Sequence, residues 1–329
     1  MRPLWSGCLL LCSLLLPFPV QAQPDAGVES IPEEVAYTSE GVSLAATVLT
    51  PPGPGPFPAV VVVHGSGSSD RSNPWTSAYA TALVERGVAV LHPDKRGSGA
   101  SGGDWREATF ADLAGDALAG VDVLRAHPRI DSARVGVIGF SQGGHVVPLA
   151  ATRSPDVAFV INISGSVVPM TEQIGDEVRL MGEREGLTEN ELGALQALHE
   201  RAVRYALSGE GWDAYAAALA EAEDRPMGRS DAVGGFPAAP DSPAWALLGT
   251  LGDFDPLPYW REVGVPALFL YGGRDENVDV FKSADLIEEE LTPAGLAYSL
   301  LLFRNNGHAL FRGDAMDFIA RWIHDGGVD

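Results

Sequence analysis

At 329 residues the chain is long enough for one large α/β domain or two small ones, with ample core for either. Apolar residues make up 46% and charged residues 20%, the composition of a globular protein, and the formal charge of −22 disfavours DNA, RNA and anionic membrane surfaces as partners.

Residues 1–22 read as a secretory signal peptide. Arg2 supplies a short positive start, Cys8 to Leu16 is an apolar stretch too short to span a bilayer, and Val20-Gln21-Ala22 offers small residues at a cleavage site. Cleavage after Ala22 would send the chain to the periplasm or the medium without a membrane anchor. It would also remove Cys8 and Cys12, the two cysteines of the sequence, and with them any disulfide or thiolate metal site.

Two β-like runs follow, Glu34 to Thr38 and Val42 to Leu49. The Pro-rich piece Pro51 to Pro58 then reads as a stiff turn into the strongest strand pattern, Ala59 to Val63. Strands and helices alternate from there: a strand at Gly87 to Leu91, a helix at Phe110 to Ala126, a strand at Val135 to Ile138, a helix after Ser141 and a strand at Val157 to Ile163. In the first helix Phe110, Leu113, Ala117, Val121 and Leu124 recur at three- and four-residue spacing, which makes one buried face. Such alternation predicts a mostly parallel sheet flanked by helices.

The alternation stops from about Val167 to Glu262. Thr188 and Glu191 form a capping box ahead of Leu192, Leu195, Leu198 and Ala202, and a second helical piece runs from Trp212 to Ala222. The segment 168–260 therefore reads as a helical cap inserted between core strands 6 and 7, dividing a core of 23–167 and 261–329. Its aromatics, Trp212, Tyr215, Trp245, Phe254, Tyr259 and Trp260, are either its own core or apolar wall for a substrate. The core resumes with a strand at Val265 to Tyr271, a helix at Val280 to Leu291, a strand at Ala297 to Phe303 and a helix at Ala315 to His324.

The chemistry centres on Gly139-Phe140-Ser141-Gln142-Gly143. A strand, this glycine-flanked serine and a helix in succession are the context of a nucleophile elbow, in which the serine sits on a strained turn above the sheet. A serine hydroxyl needs a base, and the base needs an acid to hold its tautomer. Asp275 follows one late strand through Gly272-Gly273-Arg274, and His308 follows the next through Asn305-Asn306-Gly307. The chain order Ser, Asp, His, with each group in a loop at the carboxyl end of a parallel strand, points to Ser141, Asp275 and His308 as nucleophile, acid and base. Glu276 is the rival acid. His64 reads as structural, because it opens His64-Gly65-Ser66-Gly67, a loop whose backbone N–H groups can hold an oxyanion. No metal-ligand cluster, dinucleotide fingerprint or phosphate loop appears, so no metal or cofactor is expected.

These pieces, together with Asp70-Arg71, Asp94-Lys95-Arg96-Gly97-Ser98-Gly99 and Gly139 to Gly144, resemble the α/β-hydrolase superfamily over about residues 30–325. Within it the chain looks like bacterial esterases related to dienelactone hydrolases and prolyl-oligopeptidase-like enzymes. The resemblance implies an α/β-hydrolase fold, oxyanion donors at the N–H groups of Ser66 and Gln142, and a bracing loop carrying Asp94 and Arg96 beside His64 and Gly65. The expected function is a serine carboxylesterase acting on a small-molecule ester of small to medium acyl size. Three alternatives stand beside it: a prolyl-oligopeptidase-type peptidase, for which no propeller is expected ahead of residue 30, a carbon–carbon bond hydrolase, and a non-catalytic binding protein on the same fold.

Overall fold

The computed structural model describes residues 30–252 and 254–327. The expected signal segment, with Cys8 and Cys12, lies outside the described residues. The described residues divide into two compact units, a helical one formed by Val168–Asp255 with Glu276–Asp279 and a sheet unit formed by the others.

The sheet unit starts with β1 (Ile31–Ser39) and β2 (Val42–Thr50), an antiparallel hairpin. Its two-residue loop, Glu40-Gly41, has φ of +47° and +84°, the left-handed pair that matches strand twist in a tight hairpin. Then come β3 (Phe57–Val63), α1 (Pro74–Glu85), β4 (Ala89–Pro93), α2 (Phe110–Ala126), β5 (Ile130–Phe140), α3 (Gly143–Arg153) and β6 (Val160–Ile163).

The helical unit is built from α4 (Met170–Arg184), α5 (Glu189–Ser208), α6 (Trp212–Glu223), the short α7 (Asp231–Gly234) and α8 (Pro243–Leu251). The expected capping box is present, with Thr188 Oγ1 accepting from Glu191 N–H and the Glu191 carboxylate accepting from Thr188 N–H. Leu192, Leu195, Leu198 and Ala202 are buried as their spacing requires. Tyr215 and Trp245 join them, their rings 5.2 Å apart, so these aromatics form the unit's own core.

After α9 (Leu257–Glu262) the sheet unit continues through β7 (Ala267–Gly272), α10 (Val280–Leu286), the single turn α11 (Thr292–Ala294), β8 (Tyr298–Phe303) and α12 (Gly313–His324). The compact helical unit ends at Asp255, short of the expected border at 260. Trp260 is fully buried against Phe269 of β7, ring centroids 4.7 Å apart, because an apolar face on α9 finds its cover on the sheet.

The eight strands lie in the order β1-β2-β4-β3-β5-β6-β7-β8. β2 runs antiparallel to both neighbours and every pairing from β4 onward is parallel. A parallel sheet must be covered on both faces, and the side-chain alternation divides accordingly. Val60, Val62, Ile138 and Phe140 pack with Tyr79 and Leu83 of α1 and Ile319 and Trp322 of α12. Val61 and Leu91 point the other way, where Gly120 of α2 comes so close that an added Cβ would lie 3.0 Å from Val61.

Several elements depart from their expected bounds. α1 is a full helix where the sequence suggested none: Asn73 caps it by accepting from Trp75 and Thr76 N–H, and Pro74 starts the first turn instead of breaking it. The strand expected at Gly87 to Leu91 begins at Ala89, because Gly87 has φ +82° and closes the turn after α1. The strand expected from Val157 begins at Val160. The helix expected through Leu291 widens into a π turn at Ile287–Leu291, where Pro293 cannot donate to the carbonyl four residues back.

Gly139, just before the end of β5, has no room for a side chain. A Cβ would stand 2.4 Å from the Gly143 carbonyl oxygen and 2.5 Å from Val147 Cγ2, a backbone and a packed side chain. Gly139→Ala is therefore expected to cost about 3 kcal/mol or more in urea unfolding. A loss under about 0.5 kcal/mol would show that the strand-to-helix junction relaxes freely.

Candidate active site

Ser141 follows β5 with φ +52°, the left-handed region that a serine enters at a cost of about 1–3 kcal/mol. The surroundings enforce it. Its N–H donates to Ile163 O (2.9 Å), extending the β5–β6 ladder, and its carbonyl accepts from Gly144 N–H (2.8 Å). Gly143, the first residue of α3, packs so tightly on β3 that an added Cβ would lie 2.6 Å from Val63 O. Strand and helix are thereby pressed together and the serine is the residue left at the bend.

The sheet brings the three residues read from the sequence into one line. Ser141 Oγ donates to His308 Nε2 at 2.9 Å, and His308 Nδ1 stands 3.0 and 2.9 Å from the two Asp275 carboxylate oxygens. A carboxylate only accepts, so Nδ1 carries the hydrogen and Nε2 accepts the serine hydroxyl. The Asp275 side chain has no exposed surface. The rival acid, Glu276, is turned elsewhere: it belongs to the helical unit and accepts from Arg184 Nη1 at 2.6 Å.

Gly65 places the β3 loop against the nucleophile, since a Cβ there would lie 3.3 Å from Ser141 Cβ and 3.9 Å from its Oγ. Among the described residues, neither Ser66 N–H nor Gln142 N–H donates to a protein acceptor. Unspent donors beside a nucleophile, one of them at the start of α3, can receive an oxyanion.

The remaining predicted residues, His64, Asp94 and Arg96, make their hydrogen bonds to neighbouring loops and to α2. His64 bridges loops, Nε2 to Pro93 O at 2.7 Å and Nδ1 to Ser69 Oγ at 3.0 Å. Asp94 takes a two-pronged contact from Arg71 (2.9 and 3.0 Å) and the Ala100 N–H (2.8 Å). Burial alone would raise its carboxyl, yet these donors hold it below the usual range. Arg96 pairs in the same way with Asp116, at 2.7 and 2.6 Å. Each of these side chains ties its own loop to another loop or element.

Three residues of the site went unread. Ser164, after β6, repeats the left-handed turn with φ +52°, and its Oγ donates to His308 O at 2.9 Å. Trp75 of α1 lays its ring 5.4 Å from the imidazole and donates through Nε1 to Leu310 O at 3.3 Å. Lys95 lies between the two bracing residues, with its Nζ donating to Gly65 O (2.8 Å) and Gln142 Oε1 (3.0 Å). A serine-glycine pair directly after a strand was a signal for the first. The other two depend on long-range packing that no local pattern announces.

Comparison with known proteins places the chain among hydrolases. A family model described as X-Pro dipeptidyl-peptidase (S15 family) matches residues 40–303. Esterase EstD of Thermotoga maritima is 27% identical over 302 residues, covering 90% of this chain; the chain spans 65% of that relative's length. Among solved structures, the Pyrococcus furiosus esterase Pf2001 superposes with a TM-score of 0.61 at 19% identity, covering 90% of this chain and 91% of its own. The 2,6-dihydroxy-pseudo-oxynicotine hydrolase superposes at 0.57 and 18% identity, covering 90% of this chain and 68% of its own. At these identities the structural matches establish the α/β-hydrolase fold.

The bracing layer carries a pH signature. His64 and His92 are buried with ring centroids 5.4 Å apart, and burial pushes their pKa values down to about 4 and about 3. Unfolded, each titrates near the ordinary value of about 6.5. Between about pH 6.5 and 4 the unfolded chain therefore binds more protons, and stability falls as pH falls, by up to about 1.4 kcal/mol per pH unit for each histidine. Urea melts at pH 7, 6 and 5 should show this slope, and His92→Gln should flatten it. An unchanged slope in that variant would assign the acid sensitivity to other groups.

Proposed function

Since the chain belongs to the X-Pro dipeptidyl-peptidase (S15) family, we propose that it is a serine hydrolase that cleaves carboxylic esters of small to medium acyl groups through an acyl-enzyme on Ser141. The observation that carries the reading is the continuous line Ser141 Oγ, His308 Nε2, His308 Nδ1 and Asp275, with steps of 2.9 to 3.0 Å. Ser141 Oγ attacks the acyl carbon as its proton passes to His308 Nε2, and the carbonyl electron pair moves onto oxygen. Ser66 and Gln142 N–H groups receive that oxyanion. When the carbonyl re-forms, the C–O bond to the alcohol breaks and the alcohol leaves with the proton held on Nε2. Water then repeats the sequence in reverse roles, giving up a proton to Nε2 and releasing the acid.

Ester over amide is supported by the likeness to an esterase along 90% of the chain. The family description favours a second reading, removal of X-Pro dipeptides from peptide amides, on the same triad. Nitrophenyl esters of graded acyl length, run beside X-Pro nitroanilides, separate the two. Export of the chain is proposed on residues 1–22 alone.

Ser141→Ala is expected to lower ester turnover by a factor on the order of 10⁴ or more without loss of stability, and a fluorophosphonate probe should label Ser141 only. Labelling at Ser66 or Ser98 would overturn the assignment. Asp275→Asn should cost on the order of 10⁴ through the wrong imidazole tautomer, whereas Glu276→Gln should stay within about threefold. The opposite pattern would move the acid to Glu276.

A further inference from the structure

Lys95 buries its amino group, 7% exposed, and among the described residues no carboxylate lies within ion-pair distance of it. A buried charge without a counter-ion is costly, so what it touches is informative. It touches two oxygens, Gly65 O at 2.8 Å and Gln142 Oε1 at 3.0 Å. Gly65 C=O belongs to the same peptide unit as the Ser66 N–H. A trans peptide is planar, with its C=O and N–H pointing in opposite directions, so a donor gripping the carbonyl aims the amide hydrogen away from itself. The same grip polarises the peptide and strengthens that hydrogen as a donor. Gln142 is the residue whose main chain carries the other unspent N–H.

We propose that Lys95 is a positioning residue of the oxyanion site: its amino group holds the Gly65–Ser66 peptide and the Gln142 side chain in the one arrangement that presents both N–H donors to a tetrahedral intermediate. The proposal rests on the serine-hydrolase reading of Ser141. Glycine at position 65 gives the peptide unit freedom to rotate, and Lys95 removes that freedom. Lys95 is itself pinned, its N–H on Ser69 O (3.0 Å) and its carbonyl on Ser98 N–H (2.8 Å). The titratable and charged groups around it are His64, Asp94, Arg96, Asp116 and Tyr37, which line a cavity of about 30 Å³ with it. Burial pushes the Lys95 pKa down to about 7, partly opposed by Asp116. A neutral amine still has two N–H donors for two oxygen acceptors, so the tie persists on both sides of neutrality.

The test is Lys95→Met in the full chain, with kcat expressed per active site titrated by a fluorophosphonate burst. The expected result is a drop in kcat of about tenfold to a hundredfold with KM within about twofold, below the loss from deleting an oxyanion donor outright. Inhibition by a trifluoromethyl ketone, which forms a tetrahedral oxyanion on Ser141, should weaken by the same factor. The deficit should be equal at pH 6 and pH 9; a deficit that vanishes at pH 9 would assign the effect to charge and overturn positioning. Gln142→Leu cuts the tie from its other end and should lower kcat several-fold, whether or not Lys95→Met folds, and the double variant should add little to Lys95→Met. Ser141-dependent turnover unchanged per titrated site in either variant overturns the inference alone. Wild-type turnover that survives Ser141→Ala overturns the hydrolase reading beneath it.

Discussion

The left-handed backbone of Ser141 is the constraint on which the rest of the site depends. At φ +52° the serine would revert to a relaxed conformation if either the strand before it or the helix after it could move. Neither can. β5 is flanked by parallel strands on both sides, and Gly143 packs against the β3 backbone with no room for a methyl group. The cost of the strained turn is met by the burial on both faces of the sheet, where side chains such as Phe140, Tyr79 and Trp322 each remove a large apolar surface from water, at about 25 cal/mol per Å².

The base is held by a second use of the same device. Ser164, at the end of the neighbouring strand β6, has the same φ of +52°, and its N–H continues the sheet ladder to Leu270 O at 2.9 Å. From there its hydroxyl takes the main-chain carbonyl of His308. Asn162 locks the turn, exchanging hydrogen bonds with Gly165 at 2.9 Å in both directions. Nucleophile and base are thus both referenced to the ends of adjacent strands, and the 2.9 Å between them is set by the spacing of the sheet rather than by the reach of flexible side chains. The loop on the far side of His308 is held from α1, where Tyr79 Oη donates to Leu310 O at 2.6 Å.

The candidate triad was legible because each member sits just past a strand in chain order Ser, Asp, His, and the sheet brings those strand ends together. Elements with strong local signatures were legible for the same reason: the apolar stripe of α2, the capping box of α5 and the β-branched run of β3. What the sequence hid was governed from a distance. α1 begins with Pro74, which reads as a breaker unless Asn73 is seen capping it. The aromatics Tyr215 and Trp245 have the same spacing whether they line a substrate or fill their own unit, and burial decides for the latter. Lys95 lies between two residues that were read, but a lysine beside Asp94 and Arg96 looks like one more solvated charge. Only the fold places its ammonium against Gly65 and Gln142.

Electrostatics explains why a chain with a formal charge of −22 keeps cations at its centre. Arg71 and Arg96 each meet a carboxylate two-pronged, Asp94 and Asp116, so the bracing layer is close to neutral and rigid. Asp275 is the acid directed at the triad, fully covered and spent on His308. Lys95 is left over, its amino group facing a main-chain and an amide oxygen. In the proposed mechanism, cleavage of an ester or an amide passes through the same oxyanion, and the two differ afterwards, when the leaving group departs. An alkoxide leaves readily, whereas an amine must be protonated first, so amide cleavage demands that His308 Nε2–H stay aligned while the oxyanion is held. On that reading, a site that references His308 to β6 through Ser164 and the Ser66 and Gln142 N–H groups to Lys95 has separate supports for the two demands. The triad distances alone therefore fit either substrate class, and the discrimination rests on what surrounds the acyl and leaving groups.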